Sequence, residues 1–175
     1  FIVIDKSDRS SPHWMKFQLH DLLNQYDRIV YLDTDMIVRS DCPNLLKEVP
    51  ANEMGVFNEA PFVEGRAGAL RDAAVSYSMM VPDWDGAYYN TGVMVLSRCH
   101  QYLFWHPGKE EQNFFEQSYI NLMIAVTKTP IHKLSFRYNR MTCTDQATGE
   151  DRHGSYIIHY AGWQNLGQTL GIIRG

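Results

Sequence analysis

Short apolar runs separated by polar, turn-forming stretches dominate the chain, with longer helical stripes set between them. The run at 1–4, Phe-Ile-Val-Ile, is of strand type. Ser10 or Ser11 before Pro12 signals a helix start, because proline fits a first helical turn whose N–H groups lack intrahelical partners. Met15, Leu19, Leu22, Leu23 and Tyr26 then recur at helical spacing. Ile29-Val30-Tyr31-Leu32, β-branched and aromatic, predicts a buried strand, and Met36-Ile37-Val38 resumes the apolar pattern after a break. Asp41-Cys42-Pro43-Asn44 is a turn, and Leu45 and Leu46 begin a short amphipathic piece that ends at Pro50. Gly55-Val56-Phe57 predicts a short strand. Leu70, Ala73, Ala74 and Tyr77 place a helix within 64–80, and 82–86 is a loop. Val93-Met94-Val95-Leu96 predicts a strand, and His106-Pro107-Gly108 breaks the chain. A long helix over 109–126 follows, burying Phe115, Tyr119, Leu122, Met123 and Val126. The pattern ends with a strand over 133–136, a polar loop over 142–154 and a last strand, Ile157-Ile158-His159. Strands interleaved with helices predict the α/β class.

The break after Leu32 holds two carboxylates, Asp33 and Asp35, at the end of a buried strand. On an extended backbone they project to one side. Ligand crevices of α/β sheets open at the carboxyl ends of strands. Like charges gathered there repel unless a hard cation such as Mg²⁺ or Mn²⁺ neutralises them, and that cation can hold a phosphate. The plain alternative is a surface acidic turn. Other residues stand where chemistry is feasible: Lys16 on the first helix, Asn90 and Gly92 ahead of a strand, Glu116 and Gln117 beside a helical stripe, and His159 at a strand end. Each has an ordinary structural reading beside it, as do the loop residues Asp83 and Asp85, whose functional reading is contact with a sugar.

Composition narrows the partners. A formal charge of -4 does not match a nucleic-acid surface, and no run approaches the length of a membrane span. Cys42, Cys99 and Cys143 form neither a metal spacing nor a disulfide framework, which favours a reducing, cytoplasmic compartment. At 175 residues the chain fits one domain, 1–175.

Several segments then occur in order: Lys16 on a helix, Tyr-Asp-Arg-Ile-Val-Tyr-Leu-Asp33-Thr-Asp35, Tyr-Tyr-Asn90-Thr-Gly92-Val-Met-Val, Glu116-Gln117-Ser-Tyr-Ile-Asn121, Phe-Arg-Tyr138-Asn139 and Ile-Ile-His159-Tyr-Ala-Gly162. Together they resemble the family-eight glycosyltransferases, the group of glycogenin and galactinol synthase, across nearly the whole chain. The resemblance implies a GT-A fold, a mixed central sheet with flanking helices. It implies transfer of a hexose, with retention at the anomeric carbon, from a nucleotide-diphosphate sugar such as a UDP-sugar to a hydroxyl-bearing acceptor (carbohydrate, lipid or protein). Asp33 and Asp35 match the DxD pair that holds Mn²⁺, or Mg²⁺ in its place, with Asp33 also facing the donor. His159 matches the third metal ligand, and Gly162 the glycine whose backbone lies near the diphosphate. Lys16, Asn90 and Gly92 match donor-facing positions. Glu116 and Gln117 match the acid-glutamine pair of the sugar subsite, where catalysis is expected.

Two departures qualify the match. The family places a lysine three residues after its His-x-x-Gly glycine, where this chain has Asn165. The family's opening base-binding strands have no counterpart beyond 1–4, so the chain is expected to be the C-terminal portion of a larger GT-A domain, with an open sheet edge that invites homo-oligomers. Two other functions compete: a non-catalytic nucleotide-sugar or carbohydrate binder, and a haloacid-dehalogenase-type phosphohydrolase. The second expects Thr or Val where Ile37 stands.

Overall fold

The computed structural model describes residues 2, 12–81, 83–108 and 116–161. The strand expected at 1–4, apart from Ile2, lies outside them, as do residues 109–115 of the expected 109–126 helix, Gly162 and Asn165.

The first helical stretch starts as a 3-10 turn over Pro12–Gln18 and continues as α1, Leu19–Gln25. Strand β1, Arg28–Leu32, leads to a bend at Thr34 and Asp35 and then to β2, Met36–Val38. The short α2, Leu45–Glu48, is capped by the Asn44 side chain, which accepts from the Leu46 N–H at 3.0 Å. Arg28 fixes α2 beneath β1 by donating to the Leu46 and Val49 carbonyls at 2.6 and 2.7 Å. Strand β3, Met54–Asn58, helix α3, Arg66–Ser76, and strand β4, Tyr89–Ser97, follow. A 3-10 helix, Arg98–Phe104, and α4, Glu116–Thr127, precede β5, Ile131–Lys133. The last elements among the described residues are α5, Thr142–Thr148, and β6, Ile157–His159.

Two sheets result. The larger has the order β1-β4-β3-β5, with β4 antiparallel to both neighbours and β5 parallel to β3. The smaller pairs β2 with β6, antiparallel. Period-two alternation along β4 sends Met94 and Leu96 into one apolar cluster with α1 and α4, and Val93 and Val95 into another with α2. This mixed sheet with flanking helices is the fold expected from the sequence.

Three local expectations change. Residues 142–154 are not a loop: α5 forms there without an apolar stripe. Thr144 accepts from the Met141 N–H at 3.1 Å, Gly149 ends the helix in the left-handed region, and the buried Arg140 binds Asp145 at 2.6 Å. The strand expected over 133–136 lies earlier, at β5, because Ser135 caps a 3-10 turn over Phe136–Tyr138. The backbone is bent, not extended, between the two DxD aspartates. Among the described residues no helix is long and apolar enough to cross a membrane.

Candidate functional site

Asp33-Thr34-Asp35 is where the chain passes from one sheet to the other. The Asp33 N–H donates to the Gly92 carbonyl at 2.9 Å, extending the β1–β4 ladder. Two residues later the Asp35 carbonyl accepts from the Tyr160 N–H at 2.9 Å, extending the β2–β6 ladder. The bend is thus pinned at both ends, and His159 arrives on β6 opposite Met36. One ligand atom from each of Asp33, Asp35 and His159 falls within 4.8 Å of the others. His159 Nε2 lies 3.3 Å from an Asp35 oxygen and 3.9 Å from Asp33.

This group fits a divalent cation. Two carboxylates and an imidazole are a suitable donor set for Mn²⁺. His159 is buried, Asp33 partly buried and Asp35 open to solvent, so an ion has a way in. The His159 imidazole, 3.3 Å away as a hydrogen-bond partner, holds the Asp35 carboxyl below the ordinary carboxylate range against the opposing pull of burial. Gly92 makes the approach of the imidazole feasible: a Cβ there would lie 2.4 Å from His159 Cε1.

Lys16 is buried behind Asp33. Its ammonium lies 2.6 Å from Glu116, 3.2 Å from the Thr91 hydroxyl and 3.3 Å from Asp33. Burial alone would push its pKa down. The Glu116 and Asp33 charges outweigh that and hold it above the ordinary lysine value. The Tyr31 hydroxyl donates to Asp33 at 2.7 Å, and burial together with that carboxylate pushes it well up. Glu116 is buried in the first turn of α4. One of its oxygens is taken by Lys16; the other has no hydrogen-bond partner among the described residues.

Asn90 and Gln117 meet at a residue sequence reasoning missed. Glu59, just after β3, is 1% exposed. It accepts from Asn90 at 3.0 Å and from Gln117 at 2.8 Å, and Arg66 approaches to 2.7 Å. Gln117 also accepts from the Thr91 N–H at 3.0 Å, so both ends of its amide are engaged. Asn139 donates to Asn90 at 2.9 Å and contacts His159 Nδ1 at 2.7 Å. The structure therefore links Lys16, Asp33, Asp35, Asn90, Gly92, Glu116, Gln117 and His159 through direct contacts or single shared partners. Asp83 and Asp85 lie apart from them, lining a separate cleft of about 300 Å³. A lone acid following a strand, like Glu59, normally reads as solvated; only its tertiary partners mark it.

A family model described as "Glycosyl transferase family 8" matches residues 5–166. The chain belongs to this family. The membership sets aside the phosphohydrolase alternative. No curated protein sequence matches significantly. Solved structures share the fold. The apo form of mouse xyloside xylosyltransferase 1 is 19% identical with a TM-score of 0.51, over 85% of this chain and 62% of that one. The apo WbbM bifunctional glycosyltransferase is 18% identical with a TM-score of 0.61, over 90% of this chain and 32% of that one. A glycosyltransferase involved in glycosylation of the PBCV-1 major capsid is 14% identical with a TM-score of 0.55, over 90% and 77%. This chain thus spans 62% of the xylosyltransferase and 32% of WbbM.

Proposed function

We propose that this chain is a metal-dependent, retaining glycosyltransferase. It moves a hexosyl group from a nucleotide-diphosphate sugar, of UDP type, to an acceptor hydroxyl. The observation that carries the reading is the convergence of Asp33, Asp35 and His159 beside the buried Lys16–Glu116 pair in a family-eight chain. In the reaction the bond from the anomeric carbon to the diphosphate oxygen breaks. A bond to the acceptor oxygen forms, and the acceptor proton leaves with the diphosphate.

Asp33, Asp35 and His159 would hold Mn²⁺, or Mg²⁺, which when bound supplies positive charge to the departing diphosphate. The chain's own residues do the rest. Lys16 sits between Asp33 and Glu116, so its ammonium offsets part of the negative charge that those two carboxylates would present to a diphosphate. The Glu116 oxygen that Lys16 does not take, 3.8 Å from His13 Nδ1, is suited to stabilise positive charge growing on the sugar ring, as carboxylates do in glycoside hydrolysis. Gln117 and Asn90 shape the sugar subsite. Gly162 matches, in the family pattern, the glycine beside the diphosphate.

A second reading, sugar-nucleotide binding without turnover, draws on one observation: both ends of the Gln117 amide are spent on protein partners. A single set of measurements separates the two. Incubating the chain with a panel of UDP-hexoses and simple glycoside acceptors in Mn²⁺ should yield product whose anomeric configuration, read by NMR, equals that of the donor. Chelation should abolish it, and Asp35→Asn should lower the rate by about 10³-fold. Product of inverted configuration, or a rate indifferent to chelation, rejects the mechanism. Mn²⁺-dependent donor binding with no product supports the binder.

A further inference from the structure

We propose that the cleft lined by Asp83 and Asp85 is a second ligand site, suited to one neutral, hydroxyl-rich ring of hexose size and separate from the crevice at Asp33. The inference rests neither on a metal nor on the proposed reaction.

The cleft lies between the 83–87 loop and the C-terminal half of α4, and its volume is about 300 Å³. That is the small end of the range for ligand pockets, roughly 300–1,000 Å³. Part of its lining is apolar and buried, at Ala87 and Ile124. Side chains alternate along β4, so Asn90 turns to Glu59 while its neighbour Tyr89 turns to the cleft.

Tyr89 is the decisive residue. Only 7% of it is exposed, yet its hydroxyl makes no hydrogen bond among the described residues. Buried phenols ordinarily find a partner. Two others here do: Tyr88 meets the Ser118 hydroxyl at 2.7 Å, and Tyr119 donates to the Trp105 carbonyl at 3.3 Å. The Tyr89 oxygen is not sealed in the core either; its open side is the cleft. Burial, with the nearby Asp85 charge added, pushes the phenol up to about 12, so it stays protonated and able to donate near neutral pH.

The other polar groups deep in the lining are spent. The Asn121 side chain closes on the Tyr89 backbone at 2.6 and 2.7 Å. The Thr129 hydroxyl meets those of Tyr102 and Thr127, each at 2.8 Å. Trp84 Nε1 donates to the Ala87 carbonyl at 2.8 Å, which fixes the indole as a wall. One Asp85 oxygen accepts from the Ala87 N–H at 2.9 Å, and the other is left over among the described residues. Asp83 and Lys128 pair loosely at the exposed rim, 4.0 Å apart.

These leftovers select the ligand. A carboxylate oxygen accepts, and a phenol donates or accepts, so the two match neighbouring hydroxyls of a sugar ring. The indole and the apolar lining suit its C–H surface. An anion would face the Asp83 and Asp85 charges. A cation would meet Lys128 at the rim and find one free carboxylate oxygen inside, too few for a metal.

The test is a ¹H–¹⁵N NMR titration of the full chain with methyl glucoside, methyl galactoside and methyl mannoside, without Mn²⁺ or nucleotide. At least one should shift the Trp84 indole N–H together with the Asn121 and Thr129 amides, saturating with a Kd on the order of 1 mM. Tyr89→Phe loses only the oxygen and should weaken that binding roughly 3- to 10-fold. In Asp85→Asn the amide oxygen can still accept from the Ala87 N–H, and binding should weaken by roughly tenfold or more. Asp35→Asn should leave it unchanged. The absence of a saturable shift at Trp84 with all three glycosides overturns the proposal, as does binding that both cleft variants leave intact. Binding abolished by Asp35→Asn also overturns it, because the sugar would then occupy the crevice. A chain without Mn²⁺-dependent transfer would count against the proposed function alone.

Discussion

The two halves of β4 are buried alike and built from opposite chemistry. All nine residues of the strand are buried. From Val93 to Leu96 the side chains are apolar and fill the clusters on either side of the sheet. Asn90 and Thr91 are buried just as deeply, but among amides, a lysine and two carboxylates. Burying apolar surface stabilises by its removal from water; burying amides gains little net, since each bond replaces one with water. A strand that abandons the first strategy halfway along marks where the fold has been given over to a site. The boundary falls at Gly92, the residue against which the His159 ring lies.

Substitutions on either side of that boundary should fail in different ways. The largest stability effect belongs to the apolar half. Leu96→Ala removes a fully buried side chain and should cost about 3 kcal/mol in denaturant unfolding. Mn²⁺ affinity of the remaining folded protein should not change. If affinity fell with stability, the two halves would not be independent.

Gly92→Ala sits on the boundary and should show the reverse balance. The new methyl meets His159 Cε1 and the Met36 methyl. Met36 is flexible and can turn aside, whereas His159 is held by Asn139. We expect a loss of about 1–2 kcal/mol, with Mn²⁺ binding weakened by roughly tenfold or more in calorimetry. Unchanged metal affinity would mean that the imidazole does not need this approach.

The smallest effect lies beyond the apolar end of β4. His100 is buried, and its Nδ1 accepts from the Ser97 N–H at 2.9 Å. Burial, its largest influence, pushes the imidazole below its ordinary value. The folded state therefore resists a proton that the unfolded chain accepts. This contribution is fully present above the unfolded pKa of about 6.5, and is lost as pH falls through that value toward the depressed folded one. Unfolding free energy measured across this window should decline toward acid, and His100→Gln should remove up to one proton's share of the slope. A slope unchanged by the substitution would assign it to other groups.

How much of this could be read from the sequence follows the same divide. Apolar runs announced β1, β4 and β6, and the DxD aspartates stood out because they interrupted one of them. Hydrophobic periodicity cannot see what is held by polar contacts. Thus α5, organised by Arg140–Asp145 and by capping, read as a loop. The strand at β5 was displaced because Ser135 caps a turn where apolar residues suggested extension. Glu59 gave no signal, since its role depends on Asn90 and Gln117, which are distant along the chain. The bend at Thr34 was hidden as well. Spacing placed the two carboxylates on one side of a strand; the structure brings them together across a junction between sheets.

That junction makes the candidate cation site a mechanical joint. Asp33 is anchored to the larger sheet through Gly92, whereas Asp35 and His159 ride on the smaller one through Tyr160 and β6. An ion bound to all three would act as a rivet between two plates. Any motion that slides one sheet on the other must break coordination, and any ion that binds must stiffen the seam. Donor binding at such a joint would be felt along β6 and back into Asn139 and Arg140, where the plate is fastened to the rest of the molecule.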